Sequence, residues 1–267
     1  MSTWVLLRGL VREQRHWGGF PALLAAALPG ARVLVLDLAG NGARHRETSP
    51  TRVAAMVEDV RASLRAQGVA GPCSVLALSL GGMVAVEWGA RYPEEVAQLV
   101  LVNTSMRPFS PFYRRLRWRN YGAIARQLLF GDASAMERLV LRLTSNAPAD
   151  AALLARWTGY QREYPVTRAN ALRQLLAAAR YRAPPSAPAV ARVLVVAGDG
   201  DRLVDTACSR ALAAAWDLEC AVHPGAGHDL PLDDGAWLAA CVRRWAGADA
   251  DAARNPDAGG RASALKP

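Results

Sequence analysis

Ser79 lies in the stretch SVLALSLGGMVAVEWG, where an apolar run stops at a hydroxyl, two glycines follow and an apolar helical pattern resumes. A serine hydroxyl is a weak nucleophile. It attacks a carbonyl only when a base takes its proton and a third group orients that base. The chain holds four histidines, His16, His45, His223 and His228, so candidate bases are few. Two of them, His223 and His228, lie late in the chain, after the segment GDGD that holds Asp199 and Asp201. A serine on a tight strand-to-helix turn needs small neighbours, since strand and helix approach closely and the turn is strained. Ala77 two residues before and Gly81 two residues after meet that need. The plainer reading, a tight turn with an inert serine, stands beside this one. Cys73, Cys208, Cys220 and Cys241 show no metal-ligand or redox spacing and read as buried small side chains.

Positioning such residues takes a scaffold. Short, nearly continuous apolar runs at 3–7, 32–37, 73–78, 98–103, 192–198 and 218–223 read as strands covered on both faces, which suits a parallel sheet. Helical patterns lie between them. One starts near His16, and a second runs from 51 to 68 with Thr51 as N-cap and Gly68 as stop. A third follows Ser79 and ends at Pro93, and two more come late in the chain. This alternation predicts an α/β fold, a doubly wound, mostly parallel sheet of about six strands. Residues 104–186 break the alternation with helical patterns alone and end in a proline-rich return. The expected organisation is a core of 1–103 and 187–246, an inserted helical cap at 104–186, and a disordered tail from 247 to 267.

The segment ALSLGG at a strand-to-helix turn resembles the nucleophile elbow of the α/β-hydrolase superfamily, with Ala77 in place of the usual first glycine. VLVVAGDGDRLV resembles that superfamily's acid loop, and HPGAGHDLPLDD its histidine loop. LLRGLVREQRHW resembles its oxyanion loop, with Arg8 where a histidine is usual. DLAGNGARHRE resembles the structural loop after the next strand. The likeness covers 3–103 and 190–246. It implies Ser79 as nucleophile, His228 as base and Asp201 as orienter. Asp199 is the competing acid, Asp205 a helix-start residue, and His223 points elsewhere. Backbone N–H groups of Leu10 and Leu80 would hold the oxyanion. Arg8 leaves a charge near the pocket floor, either paired with an acid or marking a subfamily. Size and a basic cap are similar to the small-cap esterase group, which includes the pimeloyl carrier-protein methyl ester esterases.

The implied chemistry is hydrolysis of a carboxylic ester or thioester through an acyl-enzyme, with no metal and no organic cofactor. The same triad also serves C–C hydrolysis, lyase and perhydrolase reactions. A non-catalytic small-molecule-binding homologue is the alternative from another class. Formal net charge is +9. Residues 104–186 hold 14 arginines against 4 acidic residues, while the rest of the chain is nearly balanced. In FSPFYRRLRWRNY arginines alternate with aromatics. That is either a solvated face or a surface for an anionic or carrier-bound substrate. No nucleic-acid motif accompanies the charge. No apolar stretch reaches membrane-span length and no signal peptide is evident, so a cytoplasmic location is expected. The oligomeric state is left open.

Overall fold

The computed structural model describes residues 2–254 except residue 149. β1 (Thr3–Leu7) is followed by a 3-10 turn at Gln14–Trp17 and α1 (Phe20–Ala27), then β2 (Arg32–Leu36) and α2 (Val53–Ala66). β3 (Cys73–Leu78), α3 (Leu80–Arg91) and β4 (Val96–Val102) come next. Five helices follow, α4 (Phe112–Arg115), α5 (Tyr121–Phe130), α6 (Ala133–Thr144), α7 (Ala151–Glu163) and α8 (Arg168–Arg180). The chain then returns to the sheet as β5 (Arg192–Gly198), α9 (Ala207–Ala215), β6 (Cys220–His223) and α10 (Leu230–Arg254). All six strands are parallel, in the order β2-β1-β3-β4-β5-β6.

The continuous apolar runs are explained by two cores, one on each face. Val5, Leu7, Val75, Ala77, Leu99 and Leu101 face α2, α3 and α9. Trp4, Leu6, Leu76, Leu78, Val100 and Val102 face α1 and α10. Side chains alternate across a strand, so both sets must be apolar and no polar face remains to read. The chain leaves β1 toward β2 on one side and returns to β3 on the other. The carboxyl ends of β1 and β3 therefore flank the point where winding reverses, the place where such sheets form a crevice.

Several boundaries differ from expectation, among them the start of β4 at Val96, two residues before its expected run. The last strand starts at Cys220, two residues later than its apolar run. The helix expected from Thr51 begins at Val53, with extended Arg52 as its N-cap and no side-chain cap bond. Gly68, at φ +68°, does end that helix region, and its N–H donates to Arg65 O at 3.0 Å. α10 continues to Arg254, into the stretch read as a tail, with a non-helical break at Asp234. The rest of that tail lies outside the described residues. Among the described residues no helix is long and apolar enough to cross a membrane.

Candidate active site

Ser79 joins β3 to α3 with φ +57° and ψ −116°. A non-glycine residue holds such angles only when its surroundings over-determine them. Here they do. Ser79 N donates to Val102 O at 3.0 Å, and Ser79 O accepts from Gly82 N at 3.0 Å and from Thr104 Oγ1 at 2.8 Å. A Cβ on Gly81 would stand 2.6 Å from Leu7 O and 2.7 Å from Arg8 O, so only glycine lets α3 sit this close to the end of β1. Ala77, in place of a glycine, is fully buried in the core. Leu80 opens α3, so its N–H has no acceptor within the helix.

The acid and the imidazole come from two neighbouring loops. His228 Nδ1 lies 2.6 Å from Asp201 Oδ2, and both residues are buried. A carboxylate oxygen accepts, so Nδ1 is the donor in this contact. The other Asp201 oxygen accepts from Leu203 N at 2.8 Å and Val204 N at 2.9 Å, which locks the carboxylate in one orientation. Asp199 is exposed and pairs with Arg210 at 3.3 Å. Asp205 Oδ1 accepts from Ala207 N at the start of α9. His223 Nδ1 accepts from Gly225 N and Ala226 N, and its Nε2 lies 3.3 Å from Asp234. Gly198 explains how the acid loop meets the histidine loop, since a Cβ there would overlap the Ala226 and Gly227 carbonyls.

Leu10 occupies the turn after β1, half-buried. Arg12 N donates to Gly9 O at 3.3 Å to close the turn. The next amide, Val11 at φ +53°, donates to Gln174 Oε1 at 2.8 Å. The Val11 N–H is therefore engaged by the helical insertion. A Cβ on Gly9 would lie 3.0 Å from Ser79 Cβ, so this turn packs directly against the serine.

Several further residues hold these loops. Asn103 follows β4 at φ +46°; its Nδ2 donates to Gly227 O at 3.0 Å and His228 O at 2.8 Å, and its Oδ1 accepts from Gly198 N at 2.8 Å. Asn103 and Thr104, adjacent in sequence, thus fix the histidine loop and the serine turn together. Asp233 accepts from Gly227 N at 2.6 Å and Asn146 N at 2.9 Å. Arg8 pairs with Asp229, the residue after the candidate base, at 3.0 and 2.6 Å. The sequence signals that pair only through Arg8 standing where the superfamily has a histidine. Burial pushes the Cys73 thiol up to about 12, and those of Cys208, Cys220 and Cys241 also upward, as expected of packing residues.

A family model described as the alpha/beta hydrolase family matches residues 4–241. The biotin biosynthesis bifunctional protein BioHC of Teredinibacter turnerae is 31% identical over 107 residues, 39% of this chain and 17% of that protein. The pimeloyl-[acyl-carrier protein] methyl ester esterase of Chromobacterium violaceum is 31% identical over 140 residues, 50% of this chain and 51% of its own length. The chain thus matches about half or less of these curated relatives' length. A solved thermophilic esterase from Thermogutta terrifontis superposes with a TM-score of 0.71 at 21% identity, over 92% of this chain and 89% of that one.

Proposed function

The chain belongs to the alpha/beta hydrolase family, and we propose that it is a serine hydrolase acting on a carboxylic ester or thioester. His228 Nε2 takes the Ser79 proton as Oγ attacks the carbonyl carbon. The Leu10 and Leu80 N–H groups hold the oxyanion of the tetrahedral intermediate. Collapse expels the alcohol or thiol, protonated by His228, and leaves an acyl-enzyme. A water deprotonated by His228 then releases the acid. Asp201 keeps the imidazole in the Nδ1–H tautomer and stabilises the imidazolium. The observation that carries this reading is the buried His228–Asp201 contact of 2.6 Å, in a loop held by Asn103, whose neighbour Thr104 holds the strained Ser79 turn.

Within this reading residues 104–186 form a cap, and 1–103 with 187–246 the core. The arginine excess of that insertion supports an anionic or carrier-borne substrate, in line with the relative named as a carrier-protein methyl ester esterase. A fluorophosphonate probe, which modifies an activated serine, tests the mechanism. The wild type should label stoichiometrically and Ser79→Ala not at all. Equal labelling of the two, or none of the wild type, would reject the nucleophile; the second result would favour a binding protein that keeps the fold without turnover.

A further inference from the structure

Arg8 is almost wholly buried, and no step above uses its side chain. Its Nη1 and Nη2 donate to Asp229 Oδ1 and Oδ2 at 3.0 and 2.6 Å. Side-chain exposures in the pair are 2% and 4%. The Trp17 ring centre lies 4.8 Å from the guanidinium carbon. Arg8 precedes Leu10 by two residues, and Asp229 directly follows His228. The fork therefore joins the turn that carries the oxyanion amide to the loop that carries the base.

A buried ion pair is a poor source of stability, because desolvation offsets much of the attraction and well-packed apolar residues often do as well. A bidentate fork is instead a strong source of geometry, since planar guanidinium and carboxylate meet in one orientation. The pair also has an electrostatic consequence. Alone, a buried carboxylate beside His228 would favour imidazolium; Arg8 neutralises it. Other charged or titratable groups at this loop are Asp201 after β5, Asp233 at the start of α10, His223 with Asp234 at 3.3 Å, and Arg202, which donates to Ser145 O and Asn146 Oδ1. Behind Arg8 stand Arg12, paired with Glu137 at 2.7 Å, and His16, kept neutral by burial and by the Arg12 and Arg8 charges.

We propose that Arg8 and Asp229 are positioning residues. Their fork sets the Leu10 amide relative to His228, and each cancels the other's charge next to the base in the chain. This rests on the serine-hydrolase reading. The test is the rate of fluorophosphonate labelling of Ser79 against pH, whose acidic limb reports the free enzyme's base.

Arg8→Gln leaves the Asp229 charge unopposed, so the limb should move to higher pH. Asp229→Asn leaves the Arg8 charge unopposed, so the limb should move to lower pH; each shift is expected to be about one unit. Arg8→Lys keeps the charge without the fork, so the limb should stay while the plateau rate falls about tenfold. The double variant Arg8→Met/Asp229→Leu buries no charge and covers misfolding of either single variant. It should show a wild-type limb and a lowered plateau. Shifts in the same direction, or unmoved limbs in both neutralising variants, would overturn the electrostatic half. A wild-type plateau in Arg8→Lys and in the double variant would overturn the positional half. A wild type that never labels would remove the hydrolase reading itself, a result distinct from either.

Discussion

At the level of single residues, the two acids of GDGD differ sharply although one glycine separates them. Asp201 is buried, with both oxygens engaged, one of them by His228; Asp199 is exposed and its carboxylate pairs with Arg210. Asp201→Asn should therefore lower the labelling rate by about 10³- to 10⁴-fold, because an amide can no longer enforce the tautomer that frees Nε2. Asp199→Asn should change it by less than about twofold, as expected for an exposed pair. Parallel labelling time courses decide, and the reverse order would reassign the acid. Asp201 is legible in the sequence only as the acid that the resemblance to the superfamily's loop implies, with Asp199 as its competitor. The partner of Arg8 was not, since Asp229 lies 221 residues away and pattern carries no information at that separation.

Among elements, the β3–α3 junction is the most constrained. Gly81 faces two carbonyls that belong to the β1 backbone and its following residue, and these cannot turn aside as a side chain could. Gly81→Ala should destabilise the fold by about 1–3 kcal/mol through overpacking, read as a lowered midpoint in urea. A midpoint unchanged from wild type would mean that α3 sits farther from β1 than described. The strands were readable as elements because burial on both faces forces unbroken apolar runs. The start of α2 was not. Thr51 has the right chemistry for a cap, but extended Arg52 takes the position and helix ends shift by a residue or two on local geometry. The turn after β1 was legible as a site element and illegible in detail, because its shape depends on Gln174, far along in α8.

Across the whole molecule, that same turn is where the helical insertion docks. Arg12 pairs with Glu137 of α6, Arg15 with Glu163 of α7 at 2.6 Å, and His16 packs edge-on against Trp157 at 4.8 Å and Tyr160 at 5.6 Å. Gln174 Nε2 donates to Asn41 Oδ1 and Ser49 Oγ in the core. His16 is depressed well below 6.5, by burial first and then by Arg12 and Arg8. The folded chain keeps it neutral while the unfolded chain protonates it, so its contribution is present above about pH 6.5 and is lost as pH falls below that. Neighbouring Glu13 and Asp37 are raised by burial and act in the opposite sense, losing stability as pH rises. The thermal midpoint should thus drop between about pH 7 and about pH 5, by at most about 1.4 kcal/mol of stability per pH unit from this group. His16→Gln should flatten that slope. An identical slope in the variant would place the acid sensitivity elsewhere.

The order of strands has a consequence for synthesis. β1 to β4, with the serine turn, are complete before the insertion is translated, and the acid and histidine loops come after it. A nascent chain at that stage holds a nucleophile with no base, and a β4 edge whose partner β5 has not yet been made. Such edges recruit one another between chains. The next segment to emerge is the arginine-rich one, 14 cations against 4 anions. Like-charged chains repel, which opposes the approach of two such half-built sheets once that segment has emerged.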